Sequence, residues 1–569
     1  MTRIIATNVT SPLGLTTEQN YSVLSAGHAS LRGHRQWKGL PLDITASVFS
    51  PEQIAGLAAE GFTRFEAMVL HSVRDALSQT SLDITSGRSI LVLATTLGNV
   101  EELVEGRETY TATGEAAKKI ALALGMTTEP LVVCNACISG AQAQLMAERL
   151  IRAGVCDHAI VCGADCVTPF TVAGFSCLKV LSPAECRPFD IERLGLNLGE
   201  AAATIIFSKE QSPEKECWTL LKGCADNDCH HISTPSPTGD GVLRCIRETL
   251  AGFPAEALAT VNLHGTGSMF NDQMESKAIE SAGLSELPAS AIKGIYGHTM
   301  GASGLLEAIL AMRALDEGKV LPTRGFSEAG VSGRVSLSAS MRATDKKSLL
   351  KLSSGFGGGN CVLLYTKDAA LSEAFGNPGE STKPQTVCLH RVRISPDGIM
   401  LDGSALDTTD TGAAMLTEAY KKYVGDFPKF YKMDPFSRLT MLACSLLMGT
   451  ARSTAQDGDR CGILLFNRSG SILQQRRHIE SIKSEEGFYP SPAIFIYTLP
   501  NIVMGEIAIK YGFKGETSLY ILGRKDEGLM SSVREATIHT SGLQTLITGW
   551  VECDREDDFE ADFELLTIS

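Results

Sequence analysis

An α/β fold, with strands and helices alternating so that each sheet is covered on both faces, follows from three features of the sequence. Apolar, β-branched runs at residues 4–9, 90–94, 131–133 and 159–163 have the length and flanking turns of buried strands. Amphipathic stretches separate them, the clearest at 62–77, where Phe65, Val69, Val73 and Leu77 share one helical face. Glycine, at 54 residues, is plentiful enough for the many tight turns such a fold needs.

Taken in order, Ser11-Pro12-Leu13-Gly14 ends the first strand before a helix beginning near Thr16. The helix at 62–77, the strand at 90–94 and a helix at 116–124 follow, then the strand Leu131-Val132-Val133. That strand stops at the small-residue turn Asn135-Ala136-Cys137-Ile138-Ser139-Gly140, and residues 141–153 read as a helix. Cys186-Arg187-Pro188-Phe189-Asp190 and Gly195-Leu196-Asn197-Leu198-Gly199 form a turn feeding another buried strand. Val261-Asn262-Leu263-His264-Gly265-Thr266-Gly267-Ser268 is a strand ending in a histidine and a glycine-rich loop, with Asp272 and Glu275 on the next helix. Lys293-Gly294-Ile295-Tyr296-Gly297-His298 precedes another glycine-rich turn, with Glu307 one helical turn beyond it. Ser354-Gly355-Phe356-Gly357-Gly358-Gly359-Asn360 joins two apolar strands.

The 569 residues suffice for two to four domains, and 44% hydrophobic with 20% charged residues describes a globular chain with a sizeable core. A net charge of -14 argues against a nucleic-acid groove, which needs a concentrated positive field. No secretory signal opens the sequence, and no run approaches the roughly 18 apolar residues of a membrane span. The sixteen cysteines are therefore expected as free thiols in a reducing cytoplasm. Cys224, Cys229, His230 and His231 are the best metal candidates, but adjacent histidines rarely reach one ion and no second cysteine pair has zinc spacing, so no metal is expected.

Cys137 is the candidate nucleophile. At a strand-to-helix turn, free backbone N–H groups and the helix dipole are expected to lower a thiol's pKa. His264 and His298 stand at two further strand-to-loop junctions flanked by glycines, which let the backbone approach a ligand closely.

On these motifs residues 1–366 resemble the β-ketoacyl-acyl-carrier-protein synthases, condensing enzymes of the thiolase fold with duplicated αβαβα layers. The nucleophile motif matches Ala136-Cys137-Ile138-Ser139-Gly140 and the first histidine motif His264-Gly265-Thr266-Gly267. Lys293, Gly297-His298 and Glu307 match in turn. The gating loop matches Gly355-Phe356-Gly357-Gly358, with Gly359 where threonine is usual. The Cys-His-His set resembles elongating synthases rather than starter types. The resemblance implies an acyl-Cys137 thioester, a malonyl thioester decarboxylated against His264 and His298, and an oxyanion held by the N–H groups of Cys137 and Phe356. It implies that Lys293 and Glu307 pair near His298 to orient it. Thr266, Gly355, Gly357 and Gly358 would contact substrate, and no cofactor is needed.

Residues 368–385 read as a linker, and the stretch 386–569 repeats the first half of the synthase as an additional thiolase-like half. Phe62-Thr63-Arg64 returns as Phe436-Ser437-Arg438, and Gly140 and Gly154 return as Gly528 and Gly542, an offset of 388 that puts Lys525 at the place of Cys137. This half lacks the nucleophile and both histidine motifs. It is expected to cover the synthase, shape an acyl tunnel, or mimic a chain-length-controlling partner.

The implied partners are an acyl carrier protein, docking at Arg64, Lys118 and Lys119, and a second copy paired through Leu131–Val133 in a homodimer. Two other functions use the same residues: a malonyl decarboxylase making starter units, and a non-enzymatic partner subunit of another synthase.

Overall fold

The computed structural model describes residues 1–107, 111–210, 216–376, 384–450, 458–483 and 487–569. Among them, one arrangement of five strands recurs three times, the third copy carrying an added hairpin, Gly398–Leu401 and Ser404–Ala405, on its first strand. The first contains β1 (Thr2–Thr10), β2 (Ser89–Ala94), β3 (Leu131–Val133), β4 (His158–Asp165) and β5 (Ala201–Ser208). The second contains β6 (Thr219–Asn227), β7 (Thr260–Asn262), β8 (Ala289–Ser290), β9 (Ser348–Ser354) and β10 (Gly359–Thr366). The third contains β11 (Thr386–Ser395), β12 (Cys461–Asn467), β13 (Thr517–Ile521), β14 (Thr545–Cys553) and β15 (Phe559–Ile568). Within each sheet the second strand runs parallel to the third and fourth, the fourth is antiparallel to the fifth, and the fifth is antiparallel to the first.

The central helices explain how two of these units become one domain. Helices α1 (Ser139–Arg152) and α2 (Ser303–Asp316) each follow a one-turn 3-10 segment, entered through a non-glycine residue with a left-handed backbone: Ala136 at φ 48° and Met300 at φ 48°. Such a conformation costs about 1–3 kcal/mol and persists only where the surroundings hold it. Here the two helix starts lock together. A Cβ on Gly140 would lie 2.5 Å from the Gly301 carbonyl oxygen, and one on Gly304 would lie 2.5 Å from the Ala141 nitrogen. Only glycine permits that approach, and it brings the loops before both helices to one place.

The third sheet joins the first edge to edge. β13 pairs antiparallel with β3, Tyr520 opposite Val133 and Ile521 opposite Val132. Helix α3 (Glu527–Ser541) packs on α1 and starts 388 residues after it. Nearly all of α1 is buried, whereas α3 leaves Glu527 and Glu535 exposed. On that side a cleft of about 300 Å³ is lined by Arg391, Lys525, Arg534, Asp562 and Glu564, with Arg391 and Arg534 ion-paired to the two acids. Where α1 packs on α2, the third unit instead presents Glu527, Ser531 and Arg534 of α3 to this cleft.

Two expectations change. The stretch read as a linker begins as a helix, Ala369–Gly376, packed on β6, and residues 377–383 lie outside the described residues. The edge of Leu131–Val133 is not free for a second copy, because β2 occupies one side and the chain's own β13 the other. A strand whose hydrogen-bonding groups are satisfied on both sides has none left for an intermolecular sheet.

Candidate active site

The three junctions converge. Sγ of Cys137 and one ring nitrogen from each of His264 and His298 all lie within 4.8 Å of one another. The imidazole centroids are 5.2 Å apart and nearly perpendicular. All three residues are buried, yet they line a cavity of about 120 Å³ with Phe175, Thr266, Phe270, Gly355, Phe356 and Gly358. Gly355 lies flat against the nucleophile turn: a Cβ there would come within 3.1 Å of the Cys137 nitrogen. Gly357 and Gly358 take left-handed φ values of 89° and 78°, so this loop has the conformational freedom of glycine.

Each histidine has a defined backing. Two carboxylates on the helix Met269–Ser281 hold the first loop: Glu275 accepts the N–H groups of His264 and Gly265 at 2.7 Å each, and Asp272 accepts those of Thr266 and Gly267. Lys293 Nζ lies 3.3 Å from His264 Nδ1 and donates to the His264 carbonyl at 2.6 Å. An ammonium can only donate, so His264 Nδ1 accepts and the ring proton resides on Nε2. His298 Nδ1 is 2.9 Å from Ser303 Oγ, and its Nε2 is buried without a hydrogen-bond partner among the described residues.

Lys293 and Glu307 do pair, at 2.5 Å, but beside His264 rather than His298. The Nδ1 of His298 is already taken by Ser303, from the first turn of α2. Lys351, a residue the motifs do not mark, completes the row by donating to the other oxygen of Glu307 at 2.6 Å. It sits in β9 between apolar neighbours, where a lone buried cation calls for a carboxylate partner. That was the available signal.

Electrostatics departs from expectation at the thiol. Burial pushes Cys137 up to about 12, against the opposing pull of Lys293 and of the N–H groups of Phe356 and Cys137. The helix start therefore does not yield a resting thiolate: enclosure in a desolvated cavity outweighs it. Burial, reinforced by the charge of Lys293, holds both His264 and His298 well below the ordinary imidazole value. At neutral pH the site contains a thiol and two uncharged imidazoles able to donate hydrogen bonds.

Two of the three residues expected to dock a carrier are engaged within the chain. Arg64 turns inward to Glu101 and Glu200 at 2.7 and 2.8 Å. Lys119 pairs with buried Glu66 at 2.6 Å, and Lys118 lies 3.5 Å from Glu129. Arg64 and Lys119 are committed to structural carboxylates, so they offer no unpaired charge. Cys224, Cys229 and His231 also diverge: Cys224 lies in β6, Cys229 Sγ donates to the Ala508 carbonyl, and His231 lines the Cys137 cavity.

The model for "Beta-ketoacyl synthase, N-terminal domain" matches residues 3–212 and that for "Beta-ketoacyl synthase, C-terminal domain" residues 219–327. The chain is 29% identical over 316 residues to the 3-oxoacyl-[acyl-carrier-protein] synthase 2 of Mycobacterium leprae, covering 50% of this chain and 75% of that one. Among solved structures, a ketosynthase in complex with its chain length factor, from Xenorhabdus doucetiae, is 26% identical with a TM-score of 0.55, covering 64% of this chain and 97% of that one. The keto synthase-chain length factor of PfaC covers 100% of this chain and 78% of its own with a TM-score of 0.79; at 13% identity it speaks for the fold alone. With the thiol and two imidazoles assembled on a thiolase-like fold, the chain belongs to the β-ketoacyl synthase family.

Proposed function

We propose that the chain is a condensing enzyme that joins an acyl group held on Cys137 to the enolate of a malonyl thioester, giving a β-ketoacyl thioester. The observation that carries this is the convergence of one thiol and two neutral imidazoles within 4.8 Å. In the first step Cys137 sulfur attacks the acyl thioester. The bond from the acyl carbon to the donor sulfur breaks, the Cys137 thioester forms, and the cysteine proton leaves with the donor thiol. In the second step the malonyl carboxylate departs as carbon dioxide, and its electron pair becomes an enolate whose oxygen accepts from His264 and His298. Neutral donors suit this role, since Nε2 of His264 keeps its proton as long as Lys293 occupies Nδ1. The enolate carbon attacks the acyl-Cys137 carbonyl, and the oxyanion is met by the N–H groups of Cys137 and Phe356, the same groups whose pull opposes the rise in the thiol's pKa. Each such donor lowers the barrier by about 3 kcal/mol. Collapse releases the product and a thiolate, which is reprotonated.

The substrate carrier is read as an acyl carrier protein, on the strength of the relatives' names and the buried, narrow site that a tethered thioester would reach. The C-terminal half is read as an internal partner, occupying the edge a second synthase subunit would otherwise use. Cys137→Ala and Cys137→Gln are the direct test. Neither should form β-ketoacyl product from acyl and malonyl thioesters, and condensation at the native rate by either variant would end this reading.

A further inference from the structure

The loops carrying the two oxyanion donors are both fastened to the C-terminal half. On the Cys137 side, Asn135 Oδ1 accepts the Leu519 N–H at 2.8 Å, and the Cys134 N–H donates to the Leu519 carbonyl at 3.1 Å. Asn135 thereby anchors the turn one residue before strained Ala136. On the Phe356 side, Asn501 Nδ2 donates to the Phe356 carbonyl at 2.9 Å. Asn227 bridges Gly357 O at 2.8 Å and Thr517 Oγ1 at 3.1 Å. Gly505, on the helix Ile502–Tyr511, lies directly beneath the loop: a Cβ there would fall 2.5 Å from the Gly357 carbonyl oxygen. A segment with two consecutive left-handed glycines has little conformational preference of its own, so where the Phe356 N–H points is set by these contacts together with two from the synthase itself, the Gly357 N–H to the Ile232 carbonyl and the Asp228 N–H to the Gly358 carbonyl, each 2.7 Å.

We propose that the nucleophile-less half is retained because it positions the oxyanion donors, with Asn501 as the positioning residue for the Phe356 loop. The inference rests on the reading of Cys137 as acyl acceptor. It also separates two reactions that share the cavity. Acyl transfer to Cys137 needs the Phe356 N–H, whereas decarboxylation of malonyl thioester draws on His264 and His298, which are held by Glu275, Lys293 and Ser303 rather than by the C-terminal half.

The test uses the full chain with Asn501→Asp, which keeps the volume but removes the donor, and Gly505→Ala, which presses on the same loop should the first variant not fold. Hexanoyl-coenzyme A is the acyl donor, and malonyl-coenzyme A alone reports decarboxylation. The rate of hexanoyl adduct formation on Cys137, followed by mass, should fall tenfold or more, while carbon dioxide release stays within twofold. Amide hydrogen exchange over residues 354–359 should rise at least tenfold. Unchanged acylation, an equal fall in both reactions, or unchanged exchange overturns the proposal. If the native chain performs neither reaction, the functional reading falls by itself; the exchange measurement then decides whether Asn501 positions the loop.

Discussion

Arg149 and Glu516 meet across the boundary between synthase and C-terminal half, Nη2 to Oε2 at 2.8 Å, with 2% and 4% of their side chains exposed. Arg149 stands on the helix that Cys137 introduces, and Glu516 directly precedes the strand that covers the Leu131–Val133 edge. The pair therefore joins the nucleophile's own helix to the added half. Removing one member of such a buried pair strands the other's charge at a cost of about 3–5 kcal/mol, far more than the intact pair adds.

Deleting residues 386–569 is accordingly expected to yield insoluble protein, because it uncovers Arg149 and an unpaired strand edge together. Arg149→Met with Glu516→Leu in the full chain should lose little stability, whereas Arg149→Met alone should lose about 3–5 kcal/mol. Urea unfolding of the three proteins measures this.

The Lys293–Glu307–Lys351 row carries two cations on one carboxylate, all buried. Lys351→Met leaves a neutral pair and should change stability by less than about 1 kcal/mol. Glu307→Gln leaves two uncompensated ammonium groups and should cost about 3–5 kcal/mol. It should also reduce kcat by about 10²-fold or more, as Lys293 loses the charge that holds the His264 tautomer. Unfolding and steady-state kinetics separate the two variants.

His478 is wholly buried between the two halves, its ring edge-on to Phe170 at 4.5 Å. Burial depresses its pKa from the ordinary 6.5 to about 4. Between these values the unfolded chain binds the extra proton, so this residue's stabilising contribution is complete above pH 6.5 and lost as pH falls towards 4. The stability difference between native protein and His478→Phe should therefore shrink or reverse by up to about 3 kcal/mol on going from pH 7.5 to 4.5. Other buried acids titrate in both proteins and cancel in that difference.

Phe175 lines the Cys137 cavity and packs against Phe356 at 6.0 Å and against Phe495, from the C-terminal half, at 5.6 Å. The Phe495 ring lies directly on Gly174, leaving no room for a Cβ there. Phe495→Ala should open space beyond Phe175 and shift loading of Cys137 towards longer acyl chains, read from the masses of the adducts. Gly174→Ala should displace the same ring and shift the distribution without shortening it.

Much of the local architecture is legible along the chain. Ile90, Val132 and Ile160 announce strands, Phe65, Val69 and Val73 a helix, and the small residues around Cys137, His264 and His298 mark strand ends where a side chain can face a cavity. Lys351 is legible only in hindsight, as a lone charge in an apolar strand. Arg64 misleads because helix position alone cannot tell a solvated guanidinium from one turned onto Glu101 and Glu200. The Cys137 thiol misleads for a related reason: a helix start is a local property, but desolvation depends on everything packed around it.

The sequence by itself determined the strand and helix periods, the three glycine-flanked junctions and the absence of a nucleophile at Lys525, because each is set by residues adjacent in the chain. Only the tertiary structure decided that Lys293 serves His264, that Asn501 holds the Phe356 loop, and that Glu516 finds Arg149 from 367 residues away. Those partnerships follow from the need of every buried charge and hydrogen-bonding group to be satisfied by whatever folding brings beside it.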